Sequence, residues 1–334
     1  MDQTTQKMLM GAAGADKGTG NYIAVGHNSS PYFTLLDHTT PGSVSLAATY
    51  TLPSTGFGTA FSPDGNYIAV VHFTSPYFTL LDHTTPGSVS LAATYTLPNR
   101  GNGTAFSPDG NYIAVGHSFS PYFTLLHHTT PGSVSLAATY TLPNTGNVTA
   151  FSPDGNYIAV GHSGFPYFTL LDHTTPGSVS RAATYTLPST GLGTAFSPDG
   201  NYIAVGHSGF PCFTLLDHTT PGSVSLAATY TLPSTGSGTA FSPDGNYIAV
   251  GHSGFPYFTF LDHTTPGSVS LAATYTLPSI GLATAFSPDG NYIAVGHSGF
   301  PYFTFLDHTT PGSVSLAATY TLPSTGNATA FSPN

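Results

Sequence analysis

Histidine and aspartate are the residues of this sequence whose types could support catalysis or metal binding. The chain has 15 His and 14 Asp residues, no Glu and a single Cys. His72 and His83 each represent a series of histidines that recurs about once every 45 residues. Since a metal ion needs ligands that converge within a few ångströms, this spacing favours structural hydrogen bonding over metal binding. We therefore expect no metal ion and no cofactor.

The histidines also suggest a response to pH. Protonation of all 15 would change the formal net charge from -10 to +5 (-10 + 15). Histidine is the side chain that ordinarily titrates between pH 5 and pH 8. The sequence therefore suggests a pH switch, which a melting curve unchanged between pH 5 and pH 8 would contradict.

The residues available for covalent or acid–base catalysis are few. Cys212 stands where the other copies of the repeat have Tyr, and His127 stands where the other copies have Asp, so both are interpreted as drifted positions. No group of Ser, His and Asp departs from the repeated background to suggest an activated nucleophile. The sequence thus predicts that the protein is not an enzyme.

The composition excludes several classes of protein. Only 5% of the 334 residues are charged, against about 25% in ordinary soluble domains, and the net charge is -10. A negative chain has no electrostatic attraction for phosphates, so nucleic acid is not expected as a partner. No apolar run is long enough to span a membrane, and Met8 to Ala15 does not form a convincing signal peptide. The localisation is left unknown, with a virion or extracellular place favoured over the cytoplasm.

An internal repeat accounts for nearly the whole chain. The segment Asn-Tyr-Ile-Ala-Val recurs with a period of 45 residues, beginning at Asn21, Asn66, Asn111, Asn156, Asn201, Asn246 and Asn291. We therefore assign residues 21–334 to one repeated domain and residues 1–20 to a poorly repeated N-terminal segment.

Each repeat contains four short β segments separated by turn residues. In one repeat these segments are Thr59 to Phe61, Tyr67 to His72, Tyr77 to Leu81 and Ser90 to Leu97. The second and third are nearly continuous apolar runs, as expected for strands covered on both faces. Four strands in a period of 45 residues predict an all-β, seven-bladed β-propeller of four-stranded antiparallel blades.

Two motifs resemble those of known propellers. Phe61 to Gly65, with the sequence Phe-Ser-Pro-Asp-Gly, resembles the first hairpin of WD40-like blades, and Phe78 to Asp82, with the sequence Phe-Thr-Leu-Leu-Asp, resembles their third strand. The tandem pattern Ser-Pro-Asp-Gly-Asn-Tyr-Ile-Ala-Val-Gly-His resembles propeller repeats of bacteriophage structural proteins. The first resemblance implies a closed ring, and the second implies a virion-associated role.

The two ends of the chain indicate how the ring closes. The chain enters the repeat at a second strand and ends with Ala328 to Pro333, which has the sequence of a first strand. We expect this C-terminal strand to pair beside Tyr22 to His27 and so complete blade one. Gly11 to Ala15 is a competing candidate for the closing strand, but it lacks the Phe of the other copies.

Alternating strand direction separates two faces of the ring. The turns after the first and third strands form what we call the acidic face, which carries Asp37, Asp64, Asp82, Asp109, Asp154, Asp172, Asp199, Asp217, Asp244, Asp262, Asp289 and Asp307. The loops after the second and fourth strands form the variable face, where the copies differ most. Its candidate binding residues are Phe57, Phe73, Arg100, Asn102, Phe119, Asn147, Phe165, Leu192, Phe210, Phe255, Leu282, Phe300 and Asn327.

The variable face admits two interpretations. Aromatic anchors commonly dominate interfaces, which favours a face that binds a partner. Loop tips also tolerate change more readily than strands do, which favours variation without function.

From these observations we predict a non-catalytic binding or structural module, and the resemblance to bacteriophage structural proteins implies that it is virion-associated. Its expected partner is a protein or glycan receptor, with no membrane insertion, and the ring is expected to be a monomer that could join a larger particle. One alternative is a propeller lectin, and another is an intracellular peptide-binding scaffold. A third is a recently amplified repeat without an evolved ligand.

Overall fold

The computed structural model describes residues 22–333 as a closed ring of sheets. These residues form 28 strands in seven four-stranded antiparallel sheets, with no helix among them. The predicted seven-bladed β-propeller is therefore confirmed. No helix able to span a membrane is found in the described residues. The N-terminal segment 1–20 and the rival closing strand from Gly11 to Ala15 lie outside them.

The strands are numbered in chain order, and each blade after the first contains four consecutive strands. Blade one contains β1 (Tyr22–His27), β2 (Tyr32–Asp37) and β3 (Ser45–Thr51). Blade two contains β4 (Gly56–Phe61), β5 (Tyr67–His72), β6 (Tyr77–Asp82) and β7 (Ser90–Thr96). Blade three contains β8 (Gly101–Phe106), β9 (Tyr112–His117), β10 (Tyr122–His127) and β11 (Ser135–Thr141). Blade four contains β12 (Gly146–Phe151), β13 (Tyr157–His162), β14 (Tyr167–Asp172) and β15 (Ser180–Thr186).

The remaining blades repeat this order. Blade five contains β16 (Gly191–Phe196), β17 (Tyr202–His207), β18 (Cys212–Asp217) and β19 (Ser225–Thr231). Blade six contains β20 (Gly236–Phe241), β21 (Tyr247–His252), β22 (Tyr257–Asp262) and β23 (Ser270–Thr276). Blade seven contains β24 (Gly281–Phe286), β25 (Tyr292–His297), β26 (Tyr302–Asp307) and β27 (Ser315–Thr321), and the final strand is β28 (Gly326–Phe331).

The last strand closes the ring as the sequence predicted. β28 pairs antiparallel with β1, and Ala24 lies opposite Ala330. Beyond the strand, the backbone N–H of Ser332 donates to the carbonyl of Tyr22 at 2.8 Å, and the N–H of Tyr22 donates to Ser332 Oγ at 2.9 Å. The two ends of the repeated domain therefore complete blade one. The inner edge of β1 is paired with β28 and is not left open.

The hydrophobic core lies between the blades. Every residue of β5 is buried, because neighbouring blades cover both faces of this strand. Ala69 and Phe78 of blade two pack with Ile113 and Val115 of blade three in one of seven such clusters. The fourth strand lies outermost and is partly exposed, as in β7. The energy of burial is thus gained where one blade meets the next.

The first strand of each blade is longer than the sequence predicted. The predicted segment began at Thr59, whereas β4 begins at Gly56. Glycine has a low propensity for β-strands. Gly56 nevertheless pairs with His72, and Gly58 pairs with Val71. Phe57 forms a bulge between the two glycines. Gly56 lies against the backbone of Gly26 and Tyr32 in the preceding blade, and Gly58 lies against the backbone of Gly103 in the next one, so their small size outweighs their low strand propensity.

Gly146 shows how close this approach is. A Cβ atom added to it would lie 2.5 Å from the carbonyl oxygen of Tyr122 and 3.1 Å from the Cα of Gly116 in the preceding blade. Both of these neighbours are backbone atoms, which cannot rotate away as a side chain can. Glycine is required here by the contact between blades.

We expect Gly146→Ala to lower the free energy of unfolding by about 2 kcal/mol or more, because the added methyl group overpacks the contact between blades three and four. Chemical denaturation of the full chain measures this change. Arg181→Leu is the control, since it places on an outer strand the residue that the other six blades carry there, and its effect should stay within about 0.5 kcal/mol. Equal stability of Gly146→Ala and the parent protein would contradict the close-contact argument.

Candidate functional site

The acidic face is built from a repeated turn whose aspartate is held in place by hydrogen bonds. In blade four, Ser152 Oγ donates to Asp154 Oδ1 at 2.6 Å, and the backbone N–H of Asn156 donates to the same oxygen at 3.0 Å. Asn156 Nδ2 donates to Asp154 Oδ2 at 2.8 Å. Partial burial raises the pKa of Asp154, but these hydrogen bonds outweigh it and hold the pKa below its usual value. The carboxylate is therefore ionised throughout the neutral range.

A histidine of the next blade packs beside this turn. His218 Nδ1 lies 3.0 Å from the carbonyl oxygen of Gly200, and because that oxygen can only accept, Nδ1 carries the proton. The imidazole ring meets the ring of Tyr157 edge-on, with centroids 5.0 Å apart. Burial raises the pKa of Tyr157, and the charges of Asp172 and Asp154 raise it further. Tyr157 thus remains a protonated hydrogen-bond donor.

Together these groups line a cleft between blades four and five. Its volume is about 420 Å³, which is within the range of small-molecule sites. The lining residues are Ser152, Pro153, Asp154, Tyr157, Pro198, Asp199, Gly200, Asn201, His218, Thr219 and Pro221. A smaller cleft of about 220 Å³ repeats this arrangement between blades two and three, lined by Ser62, Pro63, Asp64, Tyr67, Asp109, Gly110, Asn111, His128, Thr129 and Pro131. Each cleft is therefore lined by two carboxylates, a tyrosine and two or three proline rings.

The second aspartate series of the acidic face has a different role. Asp217 Oδ1 accepts hydrogen bonds from the backbone N–H and the hydroxyl of Thr219, at 2.8 Å and 2.6 Å. It stabilises the turn after the third strand and does not line the cleft between blades four and five. In blade three this position is His127, whose ring lies 5.2 Å from that of Tyr112.

Six of the phenylalanines that the sequence assigned to the variable face are exposed. Their side chains are between 53% and 76% exposed, namely Phe73, Phe119, Phe165, Phe210, Phe255 and Phe300. Exposure, which the sequence could not decide, is therefore settled for these six rings. Phe57, Leu192 and Leu282 are only partly exposed, because they lie on the first strands near the axis.

The polar candidate residues of the variable face hold blades together. Asn102 Nδ2 donates to the carbonyl of Gly146 in the next blade at 2.9 Å, and Asn147 and Asn327 make the equivalent bond. Arg100 donates from Nε to Asn102 Oδ1 at 2.9 Å, and its guanidinium lies over the ring of Phe57 at 5.1 Å. None of the 13 candidate residues lines either cleft.

The histidines that end the second strands are structural. His162 is fully buried, and its Nε2 lies 2.9 Å from Thr169 Oγ1 on the neighbouring strand. Burial lowers its pKa to about 4, against a smaller opposing effect of the loop backbone at Gly164. The same lowering to about 4 holds for His27, His72, His117, His207, His252 and His297. Within residues 22–333, no three His, Cys, Asp or Glu side chains converge as metal ligands would.

Sequence reasoning placed the aspartates on one face but missed the clefts. The signal was present in the repeated Ser-Pro-Asp-Gly-Asn-Tyr turn, which brings carboxylate, amide and phenol groups together in blades two to seven. Because each cleft combines a turn of one blade with two connections of the next, no single repeat contains it.

Comparison with known proteins identifies the fold. The sequence matches no protein-family model and no curated protein. Among solved structures, the periplasmic gluconolactonase PpgL of Pseudomonas aeruginosa superposes with a TM-score of 0.80 at 16% identity, covering 93% of this chain and 99% of that one. A candidate 6-phosphogluconolactonase of Bacteroides uniformis superposes with a TM-score of 0.82 at 13% identity, covering 94% and 100%. A similar protein of Bacteroides fragilis reaches 0.74 at 12% identity, covering 96% and 99%.

These matches correct several expectations from the sequence. The prediction of a non-catalytic module that is not an enzyme is wrong, because the neighbouring propellers are described as lactonases. The prediction relied on the absence of residues that depart from the repeated pattern. A repeated fold can nevertheless have catalytic residues in the clefts between its repeats. The WD40-like and bacteriophage resemblances are not confirmed, and neither is a virion location. At these identities the likeness shows the fold alone.

The buried histidines predict that the protein loses stability in acid. The unfolded chain binds a proton at each of them below the ordinary pKa of 6.5, whereas the folded chain keeps them neutral down to about 4. The stability they contribute is therefore complete above pH 6.5 and is lost as the pH falls towards 4, by of order 1 kcal/mol per site at pH 5. Because this effect is summed over the series, we expect the melting temperature to fall by about 10 °C or more between pH 7 and pH 5.

Calorimetry at several pH values measures this shift. A His162→Gln variant, which lacks one of the titrating groups, should lose less stability over the same interval than the parent protein. A melting temperature that is constant from pH 7 to pH 5 would contradict the prediction.

Proposed function

We propose that the protein hydrolyses an uncharged, polyhydroxylated lactone in the clefts of the acidic face. The observation that carries this proposal is the cleft between blades four and five, which is lined by Asp154, Asp199 and Tyr157. Carboxylates accept hydrogen bonds from sugar hydroxyls, and the proline rings of the cleft offer apolar contact to the carbon skeleton. The lactonase descriptions of the structural neighbours support the same class of substrate.

The residues of the cleft can perform the reaction without a cofactor. One of the two carboxylates takes a proton from water as its oxygen attacks the carbonyl carbon of the lactone. The phenol of Tyr157 donates a hydrogen bond to the carbonyl oxygen as negative charge develops there. The bond from the carbonyl carbon to the ring oxygen then breaks, and the ring oxygen receives the proton from the carboxylic acid. One water is consumed, and a hydroxy acid is the product.

The charge of the protein favours a neutral substrate over a phosphorylated one. The clefts lie on the face that carries twelve of the 14 Asp residues. Arg100 and Arg181 are the basic residues within 22–333, and neither lines either cleft. A phosphate group would meet repulsion there with no basic partner to offset it.

The location of this activity is part of the proposal. PpgL is described as periplasmic, and this supports a place outside the cytoplasm for the chain. A hydrolase that takes a neutral lactone needs no nucleotide or other cytoplasmic co-reactant.

Removal of the cleft carboxylates is expected to lower kcat/KM for glucono-1,5-lactone at least tenfold. The variant carries Asn in place of Asp64, Asp109, Asp154, Asp199, Asp244 and Asp289. Asn keeps one oxygen, which can accept the hydrogen bonds from the serine hydroxyl and the backbone N–H of the turn, and loses the bond from the side chain of the following Asn together with the charge. Acid release followed in a pH-stat, corrected for spontaneous hydrolysis, measures the rate.

A matched control separates catalysis from the general charge of the face. It carries Asn in place of Asp37, Asp82, Asp172, Asp217, Asp262 and Asp307, which removes the same charge from turns outside the two clefts. This control should keep kcat/KM within about twofold. Equal loss in both variants, or a parent protein with no activity above the spontaneous rate, would overturn the proposal.

Phosphorylation of the substrate is expected to reduce kcat/KM at least tenfold at low ionic strength, because the acidic face repels the phosphate. The assay compares glucono-1,5-lactone with its 6-phosphate. The difference should narrow as salt is added, since salt screens interactions between exposed charges. A preference for the 6-phosphate at low salt would contradict the assignment of the acidic face as the site.

A further inference from the structure

The six exposed phenylalanines of the variable face are presented at the tips of short loops. In blade four the backbone N–H of Tyr167 donates to the carbonyl of Gly164 at 2.6 Å, which places Phe165 at the tip of a tight turn. The ring of Phe165 meets Tyr167 edge-on at 6.1 Å and is 69% exposed. Phe255 and Phe300 repeat this contact at 6.0 Å. The rings are therefore held outward rather than folded onto the blade.

Each of these six loops exposes one phenylalanine, but the phenylalanine does not stand at the same position in every loop. Phe73 is the first residue after the second strand, Phe119 is the second residue, and Phe165 is the third. Each of the three is more than half exposed. Blade one has Asn28, Ser29 and Ser30 in this loop instead, so the rim of rings is interrupted at one blade.

The rings are distributed around a rim and do not form one groove. They occupy six separate blades, and equivalent loops of a closed ring lie on the same side of it. A protein partner would need a surface shaped to six separated rings. A lipid bilayer is flat and fluid, so each ring can enter its interface independently, and aromatic side chains favour that interface.

The distribution of charge fits the same partner. Arg100 is the charged residue among the loops of the variable face within the described part of the chain. The aspartates lie at the far end of strands six residues long, such as Tyr67–His72, and six residues of strand span about 20 Å. This exceeds the Debye length of about 8 Å at physiological salt, so the acidic face does not repel an anionic membrane on which the variable face rests.

We propose that the variable face adsorbs to a lipid bilayer through its rim of phenylalanines, with the acidic face and its clefts turned towards the solvent. The rings enter the headgroup region without crossing the membrane. This partner differs from the protein or glycan receptor expected from the sequence. The proposal does not depend on the activity of the clefts, because the two features lie on opposite faces.

Flotation of the full chain with phosphatidylcholine vesicles tests this proposal. We expect the protein to float with the vesicles and to remain bound in 0.5 M salt, since the rim is nearly uncharged. Serine in place of Phe165, Phe210, Phe255 and Phe300 should lower the partition coefficient at least tenfold. Lactone hydrolysis by the same variant, measured without vesicles, should be unchanged, because these residues lie outside the clefts.

The chain offers a matched control for exposed apolar area. Leu46, Leu91, Leu136 and Leu226 are between 50% and 53% exposed on the outer strands, away from the variable face. Serine at these four positions should leave vesicle binding within about twofold. Equal loss in the two variants, or a parent protein that does not float, would overturn the proposal. A phenylalanine-dependent dimer in sedimentation without vesicle binding would also overturn it and would assign the rim to a second copy of the chain.

Discussion

Each blade of this protein depends on its neighbours to cover its second and third strands. A residue such as Ala69 has no exposed surface only because another blade lies against each face of its sheet. A single 45-residue unit would expose these apolar runs to water. Burial is gained at each junction between two blades, and every blade is covered on both faces only when the ring is complete. The pairing of β28 with β1 is the step that makes this possible, since it supplies blade one with its first strand.

The same contact between blades determines where polar groups lie. Tyr157 and His218 come from adjacent blades and pack edge-on across the junction. The turn carrying Asp154 meets the turn carrying Asp199 at that junction, so a cleft with two carboxylates results. At the opposite end of the junction, Asn147 Nδ2 donates to the carbonyl of Gly191 in the next blade. The two faces therefore offer different surfaces, one concave and charged and the other with protruding apolar rings.

Much of the fold could be predicted from the residues. Tyr67–His72 was predicted with the observed bounds, because an apolar run between a Pro-Asp-Gly turn and polar loop residues has clear limits. The first strand was predicted too short, because Gly56 and Gly58 do not favour strands on their own and are drawn into one by pairing with β5. The site was predicted less well. The exposed rings were named, but neither their exposure nor the clefts could be obtained from one repeat, and the expectation that the protein lacks catalysis proved wrong.

The sequence by itself determined the number of blades, the order of strands within each blade and the face on which the aspartates lie. These properties follow from the 45-residue period and from local turn chemistry, which each unit contains in full. Only the tertiary structure decided which side chains are enclosed between blades and which protrude from the ring. Tyr157 lines a cleft because the ring holds two blades side by side, and Phe165 protrudes because a tight turn carries it at its tip.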